Sequence, residues 1–410
     1  MSYKVASSPS RAERKKQRNL SSSRHIYTRI CHFAARLDLR RQRCFASDPQ
    51  SMAGARTHRA CRTDDVLTCV FSRLALRDGC VSVASVCKQW RDAWRRRAKG
   101  LYRPVRVGLG SFEYGDHIAA GPDGGVIVPD YTEGCLHVYT AEGERRGAVN
   151  FSFPIAVALD DEGVSWVVIH DDYTLAHRLV DYETMLPRGP ASPQLSFDQR
   201  PIDVATSGDA VLVLCGDQRY SEVLVLDRNT GAERYRFGSS ATPGGVDELR
   251  CAMSLAVDGD NCFVADTYNQ SVVVFNWRDG TFVRRFGKAG DAPEFGDAED
   301  GDNYWDHVGP AGTYEDDRKS AEPGHFNEPW GLVVRDKMLY VSEQRGRRIQ
   351  IMRLPDDLSA ADPEILQIIP SPGGVQLSGL CLDGDRLWCM GPPYYRSGSH
   401  SSISIFAPIV

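Results

Sequence analysis

Apolar and polar residues alternate in short runs along most of this chain. The pattern is clearest at residues 250–288, RCAMSLAVDGDNCFVADTYNQSVVVFNWRDGTFVRRFGK. Its period of two predicts four strands, at 254–257, 262–265, 271–276 and 282–286, separated by the turn sequences DGDN, DTYNQ and WRDG. A four-stranded unit with two apolar faces cannot bury both alone, so copies of it must stack. Five further copies follow the same order of apolar strand, Asp/Gly turn, apolar strand, polar loop and apolar strand. They start near GDHIAAGPDGGVIVPDYTEG, FPIAVALDDEGVSWVVIHDDYT, RPIDVATSGDAVLVLCGDQRYSE, EPWGLVVRDKMLYVSEQRGRR and LSGLCLDGDRLWCMGPPYYRSGSHSS. Six such units predict an all-β six-bladed propeller over residues 103–410, in which radial repetition leaves short, protected edges.

The last copy reaches only its third strand at 403–410. Ahead of the first copy stands RPVRVGLG, residues 103–110, which reads like the fourth-strand endings FVRRFG and ERYRFG. The expectation is that this N-terminal strand completes the C-terminal blade and removes its open edge.

Residues 63–100 change period. Val66, Leu67, Val70, Phe71 and Leu74 fall on one face of a helix, with Thr63 placed to cap it and Asp64 and Asp65 in its first turn. After the break ALRDG, a second helix carries Val81, Val83, Ala84 and Val86, and a third starts at Cys87 with Trp90 and Trp94 one turn apart. Three helices this short hold too few apolar side chains for an independent core, so the module is expected to fold fully against a partner. The alternative is a helical hairpin packed on the propeller, with its tryptophans as core.

Charge separates the two parts. Residues 1–100 carry 23 Lys+Arg against 7 Asp+Glu, whereas residues 101–410 carry 26 against 47. Residues 1–62 are Ser- and Arg-rich without an apolar face, which reads as a disordered extension; the true start could be Met52. An Arg-rich, acid-poor extension also fits a mitochondrial transit peptide. The run RDAWRRRAKG reads as a solvated helix end, since the acidic body behind it would repel a polyanion. Twelve cysteines lie scattered, with no CxxC pair and no Cys/His clustering at zinc-ligand spacing. Free thiols in a reducing compartment, cytoplasm or nucleus, are therefore expected, with no cofactor and no metal. No apolar run approaches the roughly 20 residues of a bilayer span.

Loops between second and third strands, and the connections between blades, share one face of a propeller. Five of the six loops contain tyrosine: Tyr131, Tyr173, Tyr220, Tyr268 and the pair Tyr394 and Tyr395. Arg219, Arg345, Arg347, Arg348 and Arg396 join them, and Tyr and Arg dominate interface hot spots. The competing reading packs each tyrosine against the neighbouring blade. An acidic, Gly/Pro-rich insertion at 289–323 holds Tyr304, Trp305 and Tyr314, a setting that suits a basic peptide or, alternatively, plain solvation. Around Gly301 it fails as a calcium loop, with Gly296 and Ala298 where oxygen ligands are needed. Catalysis finds little support. The inner ends of the first strands offer Asp116, Pro154, Pro201, Met253, Glu328 and Ser378, and two carboxylates are not a metal cage. HExxH, GxSxG and a Gly-rich phosphate loop are all absent.

Two resemblances add to this. DDVL, VFSRL, LRD at the break and VCKQW make residues 63–98 resemble an F-box, although Arg62-Thr63 replaces the usual Leu-Pro and Ala75 a common Pro. The resemblance implies docking on the small adaptor subunit of cullin-based ubiquitin ligases, and through it on a cullin. The contact carries over to Val66, Leu67, Val70, Phe71, Leu74, Val86, Cys87 and Trp90. AVDGDNCFVADTYNQSVVVF and GHFNEPWGLVV are similar to NHL repeats, a family of six-bladed propellers. Together these imply a non-catalytic substrate receptor whose propeller face binds a protein target through Tyr131, Tyr173, Tyr220, Tyr268, Arg345, Arg347, Arg348, Tyr394, Tyr395 and Trp305. The alternatives are a non-ligase interaction scaffold, a metal-dependent propeller hydrolase or lyase, and an RNA-binding NHL protein; the acidic body argues against the last.

Overall fold

The computed structural model describes residues 101–408 apart from 113–115, 122–123, 171–172, 183, 188–193, 218, 239–244, 288–321 and 392–400. The chain divides into two compact units, and every described residue belongs to the one spanning Gly100–Pro408. The expected helices of residues 63–98, residues 289–321 of the acidic insertion with Trp305, and Tyr394 and Tyr395 lie outside the described residues.

Six antiparallel sheets form the ring, each with strand order running from the channel outwards. Blade 4 shows why the sequence folds so. Its strands are Ala252–Asp258, Asn261–Asp266, Ser271–Asn276 and Thr281–Phe286, each within two residues of the expected bounds. In its two middle strands both alternating sets are apolar. Val264, Val273 and Phe275 pack towards blade 3, against Leu212, Leu214 and Val225. Phe263, Val272 and Val274 pack towards blade 5, against Leu332, Leu339 and Val341. Burial on both faces explains the near-continuous apolar runs, and each such aliphatic side chain contributes roughly 1.5–3 kcal/mol. The first hairpins are tight: Asp258 pairs with Asn261 and Arg335 with Met338 across two-residue turns. In the second of these Asp336 and Lys337 both take positive φ, the geometry whose twist matches the flanking strands.

Closure occurs as the sequence predicts. Tyr102–Phe112 pairs antiparallel with Ser401–Pro408 and becomes the outer strand of blade 6, beside Arg386–Gly391 and Leu380–Asp383. The entering strand is tied to blade 5 as well: Tyr102 N donates to Gln367 Oε1 at 2.7 Å, and Gln367 Nε2 donates to the Tyr102 carbonyl at 2.8 Å. Its other end, Phe112, is buried with Ile118, Val126 and Val128 of blade 1 and Trp388 of blade 6. Apolar clusters thus fill all six blade interfaces. Blade 2 is the irregular member, because on its outer side the third strand Thr174–Asp181 meets only the two-residue pieces Leu186–Pro187 and Leu195–Ser196.

Candidate functional site

Strand order fixes one face of the ring. Each inner strand leaves that face, the second strand returns to it, and the fourth strand ends there before the next blade begins. Among the described residues, five large apolar side chains are exposed on it: Phe153, Val246 and Val375 in the connections between blades, and Tyr173 and Tyr220 in the loops between second and third strands. Tyr220 and Val246 are the most open, at 57% and 69%. Phe153 and Tyr173 take positive φ, which holds their side chains on tight turns. Sequence reasoning named the two tyrosines and missed Phe153, Val246 and Val375, which lie in the connections between blades.

The other named residues take different places. Tyr131 packs between blades 1 and 2, its ring 5.3 Å from those of Phe153 and His170, so here the competing reading describes the geometry. Tyr268 is half-buried and meets Cys251, whose thiol burial pushes up to about 12. Arg345 Nε lies 2.9 Å from the buried Glu328 carboxylate. Arg347 is half-buried with a positive φ. Arg348 is only 7% exposed; it donates from Nε to Glu343 Oε1 at 2.7 Å and from Nη2 to the His325 carbonyl. That guanidinium is committed to the inside of blade 5, a correction to its expected place on the open face. A loop position and a charge suggested exposure, but the buried acid at the end of the preceding strand takes the arginine inwards.

That acid belongs to a repeated device. The second strand ends in a fully buried carboxylate in three blades: Asp130, Asp266 and Glu343. Burying a charge is costly unless it is paired. Arg285, from the outer strand, contacts Asp266, and Asn269 Nδ2 donates to it at 2.8 Å. Glu343 takes Arg348, Gln350 and the Asn327 amide. Burial pushes both carboxyls upward, and the arginines oppose the shift. Blade 1 differs. Asp130 Oδ1 accepts from the amides of Thr132 and Glu133, while Oδ2 lies 3.6 Å from His137 Nε2. Glu133 Oε2 and Cys135 Sγ stand 3.3 and 3.6 Å from the same nitrogen. Among the described residues, Glu133, Cys135 and His137 are the one group of three such side chains whose ligand atoms all lie within 4.8 Å of one another. The expectation of no Cys/His cluster at ligand spacing is corrected here. Cys135 and His137 alternate onto one face of the strand Cys135–Tyr139, and the turn at 131–134 brings Glu133 to the same side.

At the channel, the six inner positions build no comparable group. Glu328 is occupied by Arg345, and the Asp116 carbonyl accepts from the Gly379 amide at 2.7 Å. Between blades 2 and 3, a cavity of ≈ 80 Å³ lined by Gln199, Glu222 and Arg236 is far below the roughly 300 Å³ at which small-molecule sites begin.

Residues 63–101 match the F-box domain. No curated protein matches the chain in sequence. Among solved structures, a luciferin-regenerating enzyme is 12% identical, with a TM-score of 0.50, over 74% of this chain and 95% of its own. A gluconolactonase from Xanthomonas campestris is 15% identical over 75% and 94%, with a TM-score of 0.48. Hydrazine synthase from Kuenenia stuttgartiensis is 14% identical over 73% and 97%, at 0.45. At 12% identity the likeness to the luciferin-regenerating enzyme shows the fold alone. The chain therefore joins an F-box domain, residues 63–101, to a six-bladed β-propeller.

Proposed function

We propose that this chain is the substrate-recognition subunit of a cullin-based ubiquitin ligase. The observation that carries the reading is the succession of parts: an F-box match ends at residue 101, and the strand that closes a six-bladed ring begins at Tyr102. F-box domains bind the small adaptor of such ligases, and the docking residues are Val66, Leu67, Val70, Phe71, Leu74, Val86, Cys87 and Trp90. The ring supplies a target surface in Phe153, Tyr173, Tyr220, Val246 and Val375, apolar and aromatic side chains of the kind that anchor interfaces. The NHL-like wording of blades 4 and 5 supports the same reading. Residues 101–410 carry 21 more acidic than basic side chains, so a target with a basic surface is favoured electrostatically. The contribution to ubiquitin transfer is positioning, with the chemistry left to other subunits.

Affinity capture tests this, using the intact chain and a version lacking residues 63–98. Adaptor and cullin are expected with the intact chain alone, and further partners with both. Failure of the intact chain to capture the adaptor would remove the reading.

A further inference from the structure

We propose that Glu133, Cys135 and His137 of blade 1 bind one zinc-class divalent cation. The period of the strand Cys135–Tyr139 puts Cys135 and His137 on one side, and the preceding turn, with Gly134 at positive φ, brings the Glu133 carboxylate to them. A tetrahedral zinc ion with ordinary bond lengths sets its N···O, N···S and S···O ligand pairs about 3.3, 3.6 and 3.6 Å apart. The corresponding separations are 3.3 Å for His137 Nε2 to Glu133 Oε2, 3.6 Å for Nε2 to Cys135 Sγ, and 4.0 Å for Sγ to Oε2. Two edges of the polyhedron match, and the third is longer by about 0.4 Å.

Hydrogen bonding alone does not account for the arrangement. His137 Nε2 carries at most one hydrogen, yet a carboxylate of Glu133, a carboxylate of Asp130 and a thiol converge on it. Phe112, 5.3 Å away, holds the imidazole in place by ring contact.

Comparison between blades gives a second, independent argument. Asp130, Asp266 and Glu343 occupy the same register position, each pairing with the first residue of the third strand. In blade 4 the cation is Arg285, which pairs with Val273; in blade 1 the equivalent of Val273 is His137, and its partner on the outer strand is Ala148. In blade 5 the cation is Arg348, and its equivalent in blade 1 is Cys135. Both arginine positions are thus taken in blade 1 by residues that cannot supply a permanent positive charge. Glu133 occupies the place of Gly346, where a side chain would meet the Glu343 carboxylate. Among these three blades, the one with neither arginine at these register positions is the one with the ligand set.

A soft thiolate, an imidazole and a carboxylate select zinc over magnesium or calcium. Cys135 and His137 are 5% and 2% exposed, whereas the Glu133 side chain is 49% exposed and opens the fourth coordination position to solvent. The ion would pin the loop carrying Tyr131 on the open face of the ring. This inference does not depend on the ligase reading.

The experiment uses the full chain. Zinc content after purification is measured directly, and Co(II) is titrated into metal-depleted protein in the presence of a competing chelator. The expected result is one tight equivalent, a near-ultraviolet thiolate-to-Co(II) band, and its loss in Cys135→Ser with affinity weakened by about tenfold or more. Glu133→Gln, altered at a half-exposed site, serves if Cys135→Ser does not fold, and is expected to weaken Co(II) binding likewise. Absence of any stoichiometric binding overturns the proposal, and so does unchanged binding in a folded variant, which would assign the metal to other residues.

Discussion

His117 Nδ1, just ahead of the inner strand of blade 1, lies 3.4 Å from Asp203 Oδ1 on the inner strand of blade 3. The pair passes over blade 2, and the two side chains are only 9% and 10% exposed. Asp203 also accepts from the Val204 amide at 2.8 Å and, through Oδ2, from the Leu255 amide of blade 4 at 2.9 Å. One carboxylate therefore links three blades at the axis of the ring.

Replacing it should be felt across the whole ring. Asp203→Ala leaves two buried amides and a histidine without their acceptor, at a cost of about 1–3 kcal/mol for each group stranded. The melting temperature should fall clearly, and Asp203→Asn, which keeps an acceptor, should recover part of the loss.

Arg348 and Tyr220 were expected to act alike and should separate. Arg348→Ala strips a fully buried Glu343 of its guanidinium and should destabilise by about 3–5 kcal/mol. Tyr220→Ala combined with Tyr173→Ala removes exposed rings and should leave stability within about 0.5 kcal/mol while reducing capture of the target. Denaturant unfolding and affinity capture, run side by side on both variants, check this.

Tyr182 supplies an alkaline pH dependence. Burial pushes its hydroxyl up to about 12, opposed in part by Ser165 Oγ at 2.5 Å. The folded chain then keeps a proton that the unfolded chain gives up near pH 10. Stability is fully present below pH 10 and falls as pH rises towards 12, by roughly 2–3 kcal/mol from this group. Tyr182→Phe should be somewhat less stable at neutral pH and lose less between pH 10 and 12, as followed by denaturant midpoints.

Phe71→Ala with Trp90→Ala should abolish adaptor capture and leave the thermal transition of the propeller nearly unchanged. Capture retained by the double variant would count against the docking residues named above.

The fold was legible because its signal repeats. Two-sided apolar strands and Asp/Gly turns recur in every blade, and the unpaired strand at 103–110 could be assigned by its likeness to FVRRFG. The binding face was legible in part. Tyr173 and Tyr220 project, but Tyr131 turns in between two blades, and no local pattern separates these outcomes, since they depend on what the next blade offers. Phe153 was overlooked because a residue before Pro154 reads as part of the strand, and only its positive φ turns the side chain outwards. The histidine cluster was overlooked for a different reason: its spacing becomes meaningful once Cys135 and His137 are known to be extended and Ala148 is known to sit where an arginine would.

The seam between Tyr102–Phe112 and Ser401–Pro408 has a consequence for biosynthesis. The first strand of the ring leaves the ribosome with no neighbour to hydrogen-bond and must wait until nearly three hundred further residues have been made, as sequence-distant pairings form late. Throughout that interval a bare strand edge is open to strands of other nascent chains, and a chaperone that shields this stretch would raise the yield of finished protein more than one acting on any interior blade.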